Sequence, residues 1–338
     1  MRRAPFLLAA CAAAVVGACA AEPSSSGRLE LPAAPACDVP LVPRTVLDIR
    51  NCGGDLQVDD ERLYWSEWNQ GSGIWSMPKC GGEPTRLADS LGGFGFTSLR
   101  AGTDAIYALS GGTAVVRIRK DGGATTTLVA GFNAASSIEL EPGETTALVS
   151  AEGYCASFIG PDCVEEAGMI WRVDLTGAGG PAHLVYAPEH GSGQVFTMAV
   201  TEDFIYFTGN DNRQSGLQRI ARQGGDYQHL ADGVERVVAD PATGEVFGTS
   251  LNGIARWDGS SMRQVYEASP AGLNTFSLDA HFIYVVETDG SLWRGPRAGG
   301  ERVVLLEGSH VKSVGLDAAA IYAFDCADPA ARILQFAR

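Results

Sequence analysis

Three groups of side chains in this sequence have the types for chemistry: five histidines, eight cysteines and one oxygen-rich cluster. Histidine is the usual proton shuttle near neutral pH. However, His183, His190, His229, His281 and His310 occur singly and far apart, so no acid–base pair is set by spacing. The cysteines form no Cys-x-x-Cys pair and no Cys/His cluster at metal spacing, which argues against zinc. Asn210-Asp211-Asn212 could offer oxygens to calcium, but it lacks the glycine and the distal glutamate of an EF-hand loop. A polar turn is the plainer reading, so no metal or other cofactor is assigned. Gly-x-Ser-x-Gly, a Walker loop and a dinucleotide fingerprint are all missing from the sequence.

The first cysteines belong to an export address. Met1-Arg2-Arg3 precedes an uncharged stretch, Ala4 to Ala18, that ends in small residues, as a signal peptide does. Its end, Val16-Gly17-Ala18-Cys19, resembles the lipobox of bacterial lipoproteins, which implies lipidation of Cys19 and anchoring at the bacterial cell envelope. An ordinary signal peptide cut near Ala18 or Ala21 is the alternative. Residues 1–18 are thus read as leader, 19–43 as a Pro-, Ala- and Ser-rich tether, and 44–338 as the fold. The net charge of −15, with Lys79, Lys120 and Lys312 as the only lysines, excludes a nucleic-acid partner, because phosphate affinity rests on Lys and Arg.

What must position any site is a repeat of about 40 residues. One copy runs Leu56-Gln57-Val58-Asp59, Leu63-Tyr64-Trp65-Ser66, Gly73-Ile74-Trp75-Ser76-Met77, Gly81-Gly82 and Thr85-Arg86-Leu87-Ala88. Five further copies follow in the same register, each made of four short β-branched or aromatic segments separated by Gly and Asp turns. Four antiparallel strands make one blade, and both faces of that blade are apolar. Blades must therefore stack, and closing them into a ring protects their edges. The expectation is an all-β propeller of seven four-stranded blades, with six or eight as alternatives. A seventh copy, starting at Val314, has only three strands, so Thr45-Val46-Leu47-Asp48-Ile49 is expected to supply its fourth. Asp59, Asp104, Asp203, Asp279 and Asp317 are expected to cap the first turn of their blades.

The six remaining cysteines, an even number in an exported chain, read as three disulfides. Blade topology puts Cys52 and Cys326 on one face of the closure and Cys37 and Cys80 on the other. The expected bridges are Cys52–Cys326, Cys37–Cys80 and a local Cys155–Cys163.

Leu63-Tyr64-Trp65-Ser66-Glu67 with Ile74-Trp75 and Gly81-Gly82 resembles the repeat of YWTD-type and TolB-like propellers, over about residues 44–338. The resemblance implies a fold and no particular activity. It also implies that ligands meet the face carrying the loops between second and third strands, here the upper face. There the candidates are Glu67, Trp68, Asn69, Tyr154, Asn210, Asp211, Glu287 and Asp325, with the insertion from Gly153 to Gly168 as a recognition loop. The leading expectation is a lipid-anchored scaffold binding a protein or a glycan. The alternative is a propeller lyase or lactone hydrolase with a divalent metal at the channel mouth; seven-bladed streptogramin-type lyases resemble this architecture. Oligomeric state is left open.

Overall fold

The computed structural model describes residues 43–49, 52–67, 73–89, 95–151, 153–155, 163–164, 168–177, 180–188, 194–210, 215–327 and 331–338. Among them are seven four-stranded antiparallel sheets and no helix long and apolar enough to cross a membrane. The innermost strands of blades 1 to 7 are Gly53–Val58, Phe96–Ala101, Ser137–Leu140, Gln194–Val200, Val234–Ala239, Leu273–Leu278 and Val311–Leu316. Each lies against the next, and the seventh lies against the first, so the sheets close into a ring. The structure is a seven-bladed β-propeller.

The second strands show why the ring forms. Ala105–Ser110 and Ala320–Asp325 are buried along their whole length. A strand covered on both faces needs a neighbouring blade on each side. The buried apolar side chains accordingly fall into seven clusters, each spanning two adjacent blades. Between blades 7 and 1, for example, Leu56, Leu63 and Trp65 meet Tyr322, Phe324 and Ile333. Between blades 5 and 6, Phe247, Ile254 and Tyr266 meet Phe276, Val285 and Trp293.

Closure is by strand exchange between the chain ends. Arg44–Ile49 pairs antiparallel with Ala331–Ala337, with Thr45 opposite Leu334 and Ile49 opposite Ala331, as the outermost strand of blade 7. The Cys52–Cys326 disulfide staples the same seam, linking positions 274 residues apart. Cys80 is also disulfide-bonded, while Cys37, its expected partner, lies outside the described residues. Cys155 and Cys163 stand directly opposite each other on the paired strands Gly153–Cys155 and Cys163–Val164. These two strands, with Phe132–Asn133, form a small extra sheet, so part of the blade 3 insertion is itself β-structure.

The first turns of five blades carry a second repeated device. In blades 1, 6 and 7 one oxygen of Asp59, Asp279 or Asp317 accepts two backbone N–H groups of its turn. The other oxygen accepts a tyrosine hydroxyl, from Tyr64, Tyr284 or Tyr322, and a cation from the next blade around. Those cations are Lys120 (2.7 Å), Arg338 (2.9 Å) and Lys79 (2.9 Å) respectively. Glu141 of blade 3 takes Arg222 (3.0 Å), and Asp240 of blade 5 takes Arg297 (2.6 Å). Asp104 and Asp203, expected in this role, fall two residues too late. Gly102 and Thr201 hold the position directly after the first strand, where a side chain can reach back to the turn's N–H groups. In blade 4 the Thr201 hydroxyl takes over the cap, accepting the N–H of Phe204 at 3.2 Å.

Burial desolvates all five acids, which by itself would raise their pKa values. Hydrogen bonds and the facing cations outweigh this and hold Asp59, Glu141, Asp240, Asp279 and Asp317 below the ordinary 3.8 or 4.5. A folded pKa below the unfolded one gives stability that is present above the unfolded pKa and lost as pH falls through the folded one. The urea midpoint should therefore change little above about pH 5 and fall steadily below about pH 4. Lys79→Met should cost about 1–3 kcal/mol at neutral pH, and its difference from the wild type should shrink in acid. A pH-independent difference would contradict this account.

A Cys52→Ser, Cys326→Ser variant should keep the ring and lose about 2–4 kcal/mol of stability, because the bridge restricts a very long loop in the unfolded chain. Proteolysis at low denaturant should then begin in Arg44–Ile49, the strand held only by the seam. First cleavage elsewhere would show that closure is not the weakest interface.

Candidate functional site: the channel and its upper mouth

The inner strands surround a channel of roughly 560 Å³ reached by all seven blades. The wall is rich in hydroxyls, including Thr97, Ser98, Ser136, Thr197, Thr275 and Ser277. Four charged side chains interrupt it: Asp55, Arg100, Glu139 and Arg236.

Three of the four form one network across blades 1 to 3. Arg100 donates from Nε to Glu139 at 2.9 Å and from its second terminal nitrogen to the other Glu139 oxygen. Its remaining terminal nitrogen lies 3.7 Å from Asp55, whose carboxylate accepts the N–H of Leu99 at 2.9 Å. Burial disfavours the charge on Arg100, but the Glu139 and Asp55 carboxylates outweigh that and raise its pKa further. This network is internally satisfied and braces the channel wall.

Arg236 differs. Among the described residues its guanidinium makes no ion pair and no hydrogen bond. Its side chain is exposed at the mouth, and the surrounding protein still lowers its pKa by desolvation despite the attraction of Glu235 and Asp55. It sits where the channel meets a second cavity of roughly 810 Å³ on the upper face of blades 3 to 5, and both spaces share Ser136, Phe196, Thr197 and Arg236. The remaining walls include Ala134, Ala151, Gly168, Val195, Gly209, Gly216 and Leu251. Phe196 is 47 % exposed and Leu251 85 % exposed, so the rim presents apolar surface to water. Ala151 and Gly168 flank the blade 3 insertion, which therefore leaves and rejoins its blade at the recess.

Hydrogen bonds fix the floor. The Ser136 and Ser150 hydroxyls lie 2.9 Å apart, as do those of Thr197 and Thr208. Thr197 accepts the N–H of Val237 at 3.0 Å, and Thr208 donates to the carbonyl of Glu235 at 2.9 Å. The two residues flanking Arg236 are thus held through blade 4.

The expected binding residues are placed as follows. Glu67 accepts from the indole of Trp65 at 3.3 Å, and Glu287 from that of Trp293 at 2.8 Å. Asp325, fully buried, accepts from the N–H of His310 and the guanidinium of Arg332. All three stand at the upper ends of second strands, and their carboxylates bond within the fold. Asn210 ends the second strand of blade 4, and Tyr154 lies opposite Phe132 in the small sheet. Trp68, Asn69 and Asp211 lie outside the described residues. His183 and His229 are on outermost strands, His281 is on the lower turn and His310 precedes the last inner strand; none of the four lines the channel or the recess. Among the described residues no three His, Cys, Asp or Glu side chains gather as for a metal.

Sequence reasoning missed Asp55, Arg100, Glu139, Arg236 and Phe196. For Arg100 and Glu139 the available signal was a charge inside the segment that opens a copy of the repeat, whereas Asp55, Phe196 and Arg236 precede the segments read as first strands and carried none.

No family model matches this chain, and no curated protein matches it in sequence. Solved structures do match in shape. A computationally designed protein, Ika8, is 11 % identical with a TM-score of 0.59 over 88 % of this chain and 99 % of its own. YCF48 bound to D1 peptide is 9 % identical, TM-score 0.58, over 89 % and 98 %. A gluconolactonase from Xanthomonas campestris is 16 % identical, TM-score 0.50, over 80 % and 99 %. At such identities the likeness is one of fold.

Proposed function

We propose that this chain is an exported, lipid-anchored binding protein of the YWTD/TolB-like propeller type, held at the bacterial cell envelope by Cys19, that takes a protein or a glycan partner through the recess over blades 3 to 5. The observation that carries the reading is the recess itself: a cavity of roughly 810 Å³ with Phe196 and Leu251 exposed at its rim. Binding pockets typically combine apolar walls with a few convergent polar groups. An exposed aromatic at the edge of such a pocket is the usual anchor of a partner. Ala151 and Gly168, which flank the insertion at 153–168, line the same opening. The tether at 19–43 would let the ring reach away from the membrane.

Fractionation of cells making the full-length chain should place it in membranes, and Cys19→Ser should move it to the soluble fraction. Membrane retention by that variant would remove the anchor.

A photo-crosslinking residue at Leu251 of the full-length chain should capture a specific envelope component. Phe196→Ala, Trp68→Ala and deletion of 153–168 should each be compared by recovery. Loss with Phe196→Ala or with the deletion is expected; undiminished recovery by all three variants removes this face. The rival reading is tested in parallel, because turnover of gluconolactone that needs an added divalent ion would make the chain a lactone hydrolase instead.

A further inference from the structure

From the chemistry of the channel mouth we infer that the recess takes a sugar acid, with the carboxylate on Arg236, the ring hydroxyls on the Ser/Thr-lined channel and the apolar face of the sugar against Phe196. This deepens the preceding proposal and rests on it.

Four observations converge on that ligand. Arg236 is a cation facing a cavity without an ion pair among the described residues, whereas Arg100 in the same channel is held bidentately by Glu139. A guanidinium fork matches a carboxylate in shape, and Arg236 is exposed to solvent at the mouth, where an incoming carboxylate can reach it bidentately. Next to it stand the Ser136 and Thr197 hydroxyls, which bond within the protein to Ser150, Thr208 and the N–H of Val237 and keep lone-pair capacity to accept, with Ser98, Thr275 and Ser277 further around the channel. A polyhydroxylated ring can donate to these oxygens, whereas a fatty or aryl acid offers them no donor. Phe196, at the junction of the two cavities and 47 % exposed, offers a flat apolar surface for the C–H face of a pyranose.

Charge narrows the class further. The chain carries −15 overall, and Glu235 flanks the arginine. A polyanion would meet net repulsion beyond the single cation, while one carboxylate meets the guanidinium alone. The ligand is therefore a uronate presented once, either free or at the end of a glycan, rather than a polyuronate chain.

The test uses the full-length chain with D-galacturonate and D-glucuronate, the neutral sugars galactose and glucose, acetate, and trigalacturonate, by calorimetry and saturation-transfer NMR. At least one uronate should bind about tenfold or more tighter than its neutral counterpart and than acetate. Arg236→Gln should abolish that preference while leaving the melting temperature unchanged, and Phe196→Ala should weaken uronate and neutral sugar together. A trisaccharide no tighter than the monomer identifies a free sugar acid; tighter binding with magnetisation transfer confined to one terminal residue identifies a glycan end.

Equal affinity for neutral and acidic sugars, no sugar binding, or a preference that survives Arg236→Gln would each overturn the inference. A melting shift in Arg236→Gln with binding intact would assign the arginine a structural role and overturn it likewise. Partner capture at Leu251 that depends on Phe196 but not on Arg236 would leave the binding reading standing while this one fails. Insensitivity of every ligand to Phe196 would sink both.

Discussion

The pairing of Arg44–Ile49 with Ala331–Ala337 is the constraint on which the rest of this structure depends. Each blade is a sheet with two apolar faces, and an open stack of seven would leave two such faces in water. Ring closure removes both. Because the last blade is built from both ends of the folded region, no blade can be lost without opening the ring. Cys52–Cys326 sits at this seam, where closing a loop of 274 residues in the unfolded chain is entropically most unfavourable. The channel exists only as a product of closure, since its wall is one strand from every blade.

Apolar stacking alone does not fix how far each blade slides along its neighbour. The acid after each first strand and the cation after the third strand of the next blade supply that register. Their distribution supports the assignment. The cation position holds Leu175 in blade 3 and Asp258 in blade 5, and the acid position facing each holds Gly102 in blade 2 and Thr201 in blade 4. Where one partner of the pair is missing, the other is missing as well. A buried acid left without its cation would bear the full desolvation penalty, so the two positions are free to change only together.

This explains what the sequence made legible. The repeat, the strand count, the closing strand and the Cys52–Cys326 seam follow from period-two apolar patterning and from simple counting, which depend on local residue type. Misplacing the capping role on Asp104 and Asp203 arose because an aspartate anywhere in a turn looks alike in sequence. Only the offset from the strand end decides whether its oxygen meets the turn's N–H groups. The channel residues were hidden for a different reason. Arg100 and Glu139 lie 39 residues apart and meet only because blades 2 and 3 are adjacent. Arg236 stands out because it has no ion pair among the described residues, which no local pattern encodes.

The placement of the recess follows from the same upper strand ends that were expected to bind. In blades 1, 6 and 7 the second strand ends in Glu67, Glu287 and Asp325, long or charged side chains that bond back to Trp65, Trp293 and Arg332 and fill their part of the rim. In blade 3 the corresponding end is Ala151, and in blade 4 the strand passes through Gly209. A Cβ on Gly209 would lie 2.1 Å from the carbonyl oxygen of Gln194, and one on Gly216 would lie 2.0 Å from that of Ala231, so the close backbone pairing forbids side chains there. Among the described residues, blades 1, 6 and 7 thus pack their part of the rim with their own acids, while blades 3 and 4 contribute Ala151, Gly168, Gly209 and Gly216. Beside these small residues stand Phe196, Leu251 and Arg236, whose guanidinium has no ion pair among the described residues. The opening thus lies beside strand ends that carry small residues, across the ring from the strand ends that carry Glu67, Glu287 and Asp325.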